Sequence, residues 1–225
     1  MLGGRAGHHL TPRGGEPTAQ GGEKIKRPSG MVGFTFVWAG QILSVLASSA
    51  SSFALTIWAY QTYGSATALG VISTSFLLPF LLLSPIAGAL VDRHSRKLMM
   101  MVSDIVAVVA TFGILIMHST GGLDIWHLYV AAAIMGLGHT FQWPAYSAAI
   151  TTMLPKEQYS RANGMMSLVE SGPAVFAPIL AGVLYPIVGL RGILILDVST
   201  FFLAIGALIA VHVPPPPKTV PARGT

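Results

Sequence analysis

The chain has 225 residues, 52% of them hydrophobic and only 9% charged, with a formal net charge of +5. A soluble domain carries about 25% charged residues, so 8 carboxylates and 13 Lys and Arg residues cannot keep a globular surface of this size wet. The cations sit in short connections and tails, not along one face, which argues against nucleic acid as a partner; the lack of cysteine excludes disulfides and thiolate metal sites.

Residues 1–30 are polar, Gly-rich and basic, without hydrophobic period, and read as a disordered cytoplasmic tail. They hold no short apolar core ahead of a small-residue cleavage site, so no removable signal peptide is expected. Lys24, Lys26 and Arg27 lie beside the first apolar run and favour an anionic cytoplasmic leaflet. Six apolar runs follow, each reaching the ~20 residues that carry a helix across a bilayer. Hydrocarbon offers backbone polar groups no partners, so each run is expected to be helical. The predicted spans are 34–60, 66–91, 98–117, 125–150, 162–188 and 192–213. The expected architecture is therefore an all-α membrane protein, with a six-helix transmembrane bundle over 31–213. Residues 214–225, opened by the stiff run Pro214–Pro217, form a Pro-rich cytoplasmic tail or the start of a linker.

Between the second and third spans, Gly88 is followed by Asp92, Arg93, Arg96 and Lys97, a tight charge cluster that reads as a loop at a membrane face. With a cytoplasmic N-terminus, that side receives 12 of the 13 Lys and Arg residues, and only Arg191 falls outside. By the positive-inside rule both termini are cytoplasmic.

The six spans also read as two threes. Pro85 and Gly88 of span two resemble Pro178 and Gly182 of span five at offsets of 93 and 94 residues, and Asp104 and Asp197 are 93 apart. Three spans is an odd number, so the second copy enters from the opposite face, giving a 3+3 inverted repeat of the kind that secondary transporters use.

Several residues are polar where lipid makes polarity costly. Glu170 lies about eight residues into span five, roughly 12 Å deep, where a charge costs several kcal/mol unless it meets a polar cavity or a proton. It is a candidate proton or cationic-substrate site, or a carboxyl that ties helices together. Asp104 and Asp197 lie near span ends and are expected to pair structurally, Asp104 as counter-charge to the Arg93–Lys97 loop. Gln41, His139 and Gln142 are candidates for a substrate path, with helix packing as their simpler role. Ser44, Ser48 and Ser52 repeat small residues along one face of span one, which allows close helix approach. Pro85, Gly172, Pro173, Pro178 and Gly182 would bend spans two and five. None of these sets has metal-site spacing. There is no nucleophile–base motif and no phosphate-binding Gly loop, so neither enzymatic chemistry nor nucleotide-driven pumping is indicated and no cofactor is expected.

The Gly88–Lys97 stretch, between two such spans, resembles the loop signature of the major facilitator superfamily. Ser52–Tyr60, Gly64–Ala68, Phe141–Pro144, Arg161–Gly164, the Ala177-Pro178…Ala181-Gly182 pair and Leu196–Phe202 are similar to its drug- and macrolide-efflux branch, which includes siderophore exporters. The match departs at Ser95, where the family usually has Gly, and at Ile134–His139, where the family's basic Arg of span four has no counterpart. The resemblance implies the N-terminal six-span half of a transporter moving drug-like or siderophore-like molecules by ion-driven alternating access in a prokaryotic plasma membrane. Its implied partners are the bilayer, a small organic substrate, and a C-terminal six-span bundle or a second copy of itself. It also implies that Gly88, Asp92, Arg93, Arg96 and Lys97 form a gate latching two bundles together. The alternative is a six-span protein that transports nothing and acts only by association with a partner bundle.

Overall fold

A computed structural model describes residues 30–211. All but Gly30 of the predicted N-terminal tail, including Lys24, Lys26 and Arg27, lies outside the described residues, as do Arg5, Arg13, Lys218, Arg223, the Pro214–Pro217 run and the last two residues of the sixth predicted span. The described residues form five α-helices and no strand: α1 (Gly30–Tyr63), α2 (Ala66–Arg93), α3 (Arg96–Ser119), α4 (Ile125–Met153) and α5 (Tyr159–Ala210). A short 3₁₀ turn, Lys156–Gln158, leads into α5.

Local chemistry sets the helix ends. Ser65 caps α2, its hydroxyl accepting from the Ala68 amide at 3.3 Å. Ser95 does the same for α3 from Leu98 at 3.2 Å. Asp124 caps α4, and its own N–H donates to Nδ1 of His127 at 3.0 Å. These side chains satisfy amides that the first helical turn leaves unpaired. At the end of α4, Leu154 precedes Pro155 and is extended (φ −120°, ψ 147°), as the proline ring demands of its neighbour.

Gly30–Tyr63, Ala66–Arg93, Arg96–Ser119 and Lys156–Ala210 are long and apolar enough to cross a membrane. α4 matches them in length, at 29 residues, and carries His127, His139, Thr140, Gln142 and Ser147 along it. The predicted fifth and sixth spans join in α5, whose 52 residues would measure about 78 Å if straight. Gly189 interrupts it with φ 65° and ψ −178°, a conformation that a residue with a Cβ rarely adopts. The interruption creates two arms, 159–188 and 190–210, and contacts with α1 reveal their directions. Trp38 Nε1 donates to the Met165 carbonyl (2.7 Å) and Tyr185 Oη to Gln61 Oε1 (3.2 Å), so the first arm runs with α1. Ser51 meets the Ile193 carbonyl and Ser48 meets Asp197, so the second arm runs against it. The chain reverses at Gly189.

α1 packs chiefly on α5 and α2 on α4, while α3 touches both α4 and α5. Gly136 marks the closest approach: a Cβ there would lie 2.2 Å from the Phe76 carbonyl oxygen of α2. Two apolar clusters occupy opposite ends of the bundle. One contains Phe34, Met100, Tyr146, Met166 and Leu208, the other Ala54, Ile114, Leu128, Ile193 and Leu194. Between them lies a layer of buried polar side chains that includes Gln41, Ser44, Asp104 and Asp197. Lipid tails are as apolar as leucine, so apolar burial drives helix association weakly in a bilayer; close packing and interhelical hydrogen bonds count for more. Only Ala87 and Val91 of α2 are buried. Leu78, Leu82 and Ile86 of α2 and Phe176, Ile179 and Ile187 of α5 form exposed apolar faces.

Candidate functional site

A cavity of about 610 Å³ opens within the polar layer, between α1, α2, α4 and the first arm of α5. Helical spacing explains which side chains reach it. From α1 come Gln41, Val45, Ser49, Ser52, Phe53 and Thr56, and from α4 come His139, Gln142, Trp143 and Tyr146. Each set repeats at three or four residues, one face of a helix. The first arm of α5 adds Glu170, Pro173 and Pro178, and α2 adds Phe80. The cavity thus gathers Gln41, His139, Gln142 and Glu170, all four residues predicted for a substrate or proton path. The His139 ring lies between Phe76 and Phe80, with centroids 5.7 and 5.8 Å away.

Behind this cavity Gln41, Asp104 and Gln142 close a ring of hydrogen bonds across three helices. Gln41 Nε2 donates to Asp104 Oδ2 at 3.1 Å. Gln142 Nε2 donates both to Asp104 Oδ1 at 2.7 Å and to Gln41 Oε1 at 3.0 Å. Asp104 is fully buried. The expectation that it balances the charged loop does not describe its bonds, which go to two neutral amides. The reason is depth: Asp104 is two turns into α3, with its carboxylate turned into the seam of α1 and α4. Asp197, also fully buried, accepts from Ser48 Oγ at 2.8 Å and Thr111 Oγ1 at 3.4 Å, tying the second arm of α5 to α1 and α3.

The charged loop divides its work. α2 ends at Arg93, with Asp92 and Arg93 exposed, while Arg96 opens α3. Ser95, the departure from the family pattern, is the residue that caps α3. Lys97 Nζ donates to the Ile209 and Val211 carbonyls at 3.2 and 2.9 Å, satisfying the end of α5. Arg96 keeps Nε and Nη1 buried without a hydrogen-bond partner among the described residues. Gly88, Pro85, Gly172, Pro173, Pro178 and Gly182 lie inside α2 or α5.

The sequence reading did not single out Trp143, Tyr146 or Phe80 for the site. Tyr146 follows Gln142 by one helical turn, so the α4 stripe carried a signal for it. Phe80 carried none, because nothing in α2 distinguishes its inward face.

A sequence model of the Major Facilitator Superfamily matches residues 37–225. The chain is 29% identical over 181 residues to "Macrolide efflux protein A" of Streptococcus pyogenes, covering 80% of this chain and 45% of that protein. It is 32% identical over 135 residues to "Multidrug resistance protein MdtG" of Enterobacter lignolyticus, covering 59% of this chain and 30% of that protein. It is also similar to "Multidrug efflux pump Tap" of Mycolicibacterium fortuitum, at 33% over 96 residues, 43% of this chain and 23% of that protein. The chain spans less than half the length of these curated relatives.

Proposed function

The chain belongs to the major facilitator superfamily, and on that premise we propose that it is the N-terminal half of a drug-efflux transporter. In this reading it crosses the plasma membrane of a prokaryote six times as a 3+3 inverted repeat. The tail over 1–30 and the segment 214–225 flank the bundle in the cytoplasm. The count of six treats α4 as a span and each arm of α5 as another. Support for the repeat comes from α1 and α4, which run in opposite directions: Phe34 stacks on Tyr146 near one end and Tyr63 bonds Asp124 near the other. It comes also from the two buried aspartates, 93 residues apart, whose closest donors, Ser48 and Gln142, are 94 apart. The orientation follows from charge: Arg93, Arg96, Lys97, Lys156 and Arg161 cluster at the end where α1 begins, with Arg191 opposite.

The observation that carries the transport reading is the cavity, in which Glu170, His139, Gln41 and Gln142 face aromatic and hydroxyl side chains. An aromatic-lined pocket with a few fixed polar groups suits a small organic molecule, and a carboxylate within it favours a cationic one. The substrate sits in this cavity while the chain's bundle and a second six-helix bundle rock about it, driven by an ion gradient. The exposed faces of α2 and the first arm of α5 meet that partner, which the same polypeptide or a second copy supplies. The loop with Asp92, Arg93 and Arg96 latches the two, the exposed Arg93 donating to a carboxylate of the facing bundle; Lys97, bound to α5, holds the latch in place.

The test is dye efflux from bacterial cells expressing this chain together with a C-terminal bundle. Efflux that Glu170→Gln abolishes, at unchanged membrane levels of protein, is the expected result. Equal efflux by the variant would remove Glu170 from the path. Dye retention indistinguishable from that of cells lacking the chain would leave a partner-binding membrane protein as the reading.

A further inference from the structure

The hydrogen-bond ring behind the cavity has a direction, and the cavity inherits it. Asp104 accepts at both of its carboxyl oxygens, and Gln41 and Gln142 both turn their NH₂ groups toward it. Reversing Gln142 would set its oxygen against Asp104 Oδ1 and Gln41 Oε1, the acceptors it now meets at 2.7 and 3.0 Å. A carboxamide has two amide hydrogens, and those two contacts use both. The only polar group that the Gln142 side chain can still offer the cavity it lines is its carbonyl oxygen.

We propose that Asp104 is a positioning residue that fixes the polarity of the cavity wall: it locks the Gln142 amide oxygen-outward, so that the cavity selects ligands bearing N–H or O–H donors. This rests on the reading of the cavity as the substrate site. Asp104 touches no ligand itself. It acts from the far side of Gln142, beside a second cavity of about 170 Å³ lined by Ser44, Ser48, Ser103, His139 and Gln142. Glu170, across the main cavity on α5, is also an acceptor when ionised. An organic cation with amino donors meets oxygen from both sides. A cation of similar size without donors gains the charge attraction but leaves the Gln142 oxygen without a partner. A ligand with acceptors and no donors meets oxygen at both Gln142 and Glu170.

The test uses the full chain in lipid nanodiscs and two probes: ethidium, a cation with two aromatic amines, and tetraphenylphosphonium, a cation with none. The wild-type protein is expected to favour ethidium. In Asp104→Asn the new amide can donate to Gln142, so the lock is lost and the ethidium-to-phosphonium affinity ratio falls about tenfold, the effect of one hydrogen bond. Gln142→Met, which keeps the bulk and removes the oxygen, lowers the ratio similarly. A purely structural role for Asp104 would lower both affinities together, and that result overturns the proposal. A ligand-free measurement separates the positioning from the substrate reading: hydrogen exchange of the Gln142 side-chain amide, followed by NMR, is slow in wild type and faster in Asp104→Asn. Exchange that is fast in wild type, or unaffected by the substitution, overturns the proposal on its own. Slow, Asp104-dependent exchange in a protein that binds neither cation sustains the lock and overturns the cavity as a substrate site.

Discussion

Asp104 and Asp197, 93 residues apart, are both fully buried, yet they are held by different chemistry. Asp197 is met by hydroxyls, from Ser48 on α1 and Thr111 on α3. A hydroxyl rotates and can donate or accept, so this tie binds three helical segments without imposing a direction on any of them. Asp104 is met by planar carboxamides, from Gln41 and Gln142. An amide that donates on one side must present oxygen on the other, so this tie transmits a sign to the cavity. One buried aspartate is a fastener and the other a polariser.

The largest expected effect breaks one side of that comparison alone. Gly136 lies on α4, which carries Gln142, and α4 supplies no bond to Asp197. An added Cβ would sit 2.2 Å from the Phe76 backbone oxygen, and a carbonyl in a helix cannot swing aside as a side-chain tip can. Gly136→Ala should force α4 away from α2 and cost about 3 kcal/mol, the upper range for overpacking. The expected signature is a lower unfolding midpoint in detergent together with faster exchange of the Gln142 side-chain amide. A variant as stable as wild type would mean that the α2–α4 seam is looser than its backbone contact implies.

That seam also marks where sequence stops being informative. The long apolar runs fix the helices, because lipid leaves the backbone no other solution. The turn near 189–191 was legible as a gap between apolar runs, although the structure makes it with one left-handed glycine inside a continuous helical element, not a loop. Gln41, His139, Gln142 and Glu170 were legible as candidates because polarity is costly at their depth. Their meeting at one cavity was not, since it depends on how four helices cross. Asp104 shows the limit most sharply. Proximity in sequence pointed to the Arg93–Lys97 loop, whereas the fold turns its carboxylate toward Gln41, 63 residues away, and Gln142, 38 away. Lys97, read only as part of a charged loop, closes carbonyls more than 100 residues distant, a contact no local pattern announces.

The next effect probes the fastener. Asp197→Ala removes the acceptor for the half-buried Ser48 and the buried Thr111 and leaves their hydroxyls to find other partners, at a cost of about 2 kcal/mol. Asp197→Asn keeps an acceptor oxygen and should lose less than half as much. Thermal unfolding of the two variants decides this, and equal losses would show that the charge of Asp197, not its acceptor capacity, holds the helices. Ser48→Ala asks the same of a single tie. The Thr111 bond remains in that variant, so the expected loss is smaller, about 1 kcal/mol, with no change in the selectivity between donor-bearing and donor-free cations. A selectivity change equal to that of Asp104→Asn would erase the distinction between the two aspartates.

The smallest effect comes from a third aspartate that supplies the exposed limit of the comparison. Asp124 caps α4 outside the predicted spans, where water screens its charge and little burial opposes ionisation. The Tyr63 hydroxyl donates to its Oδ1, and the Ile125 amide does so at 2.7 Å. The Tyr63 bond, then the amide, hold the Asp124 carboxyl below the usual carboxylate range, against a small desolvation effect. The same bond is the main reason the Tyr63 hydroxyl is held above its ordinary value. The linkage signs are opposite. Asp124's contribution to stability is complete above the unfolded carboxylate value near ~4 and is lost as pH falls through the lowered folded value. Tyr63's is complete below the unfolded phenol value near ~10 and is lost as pH rises through the raised one. Tyr63→Phe removes the larger cause, so the carbon-13 carboxyl titration of Asp124 should move up toward the ordinary range while the α4 cap persists through Ile125. A titration that stays where it was would assign the lowering to the helix terminus alone, and Tyr63 would then be a neighbour of the cap, not part of it.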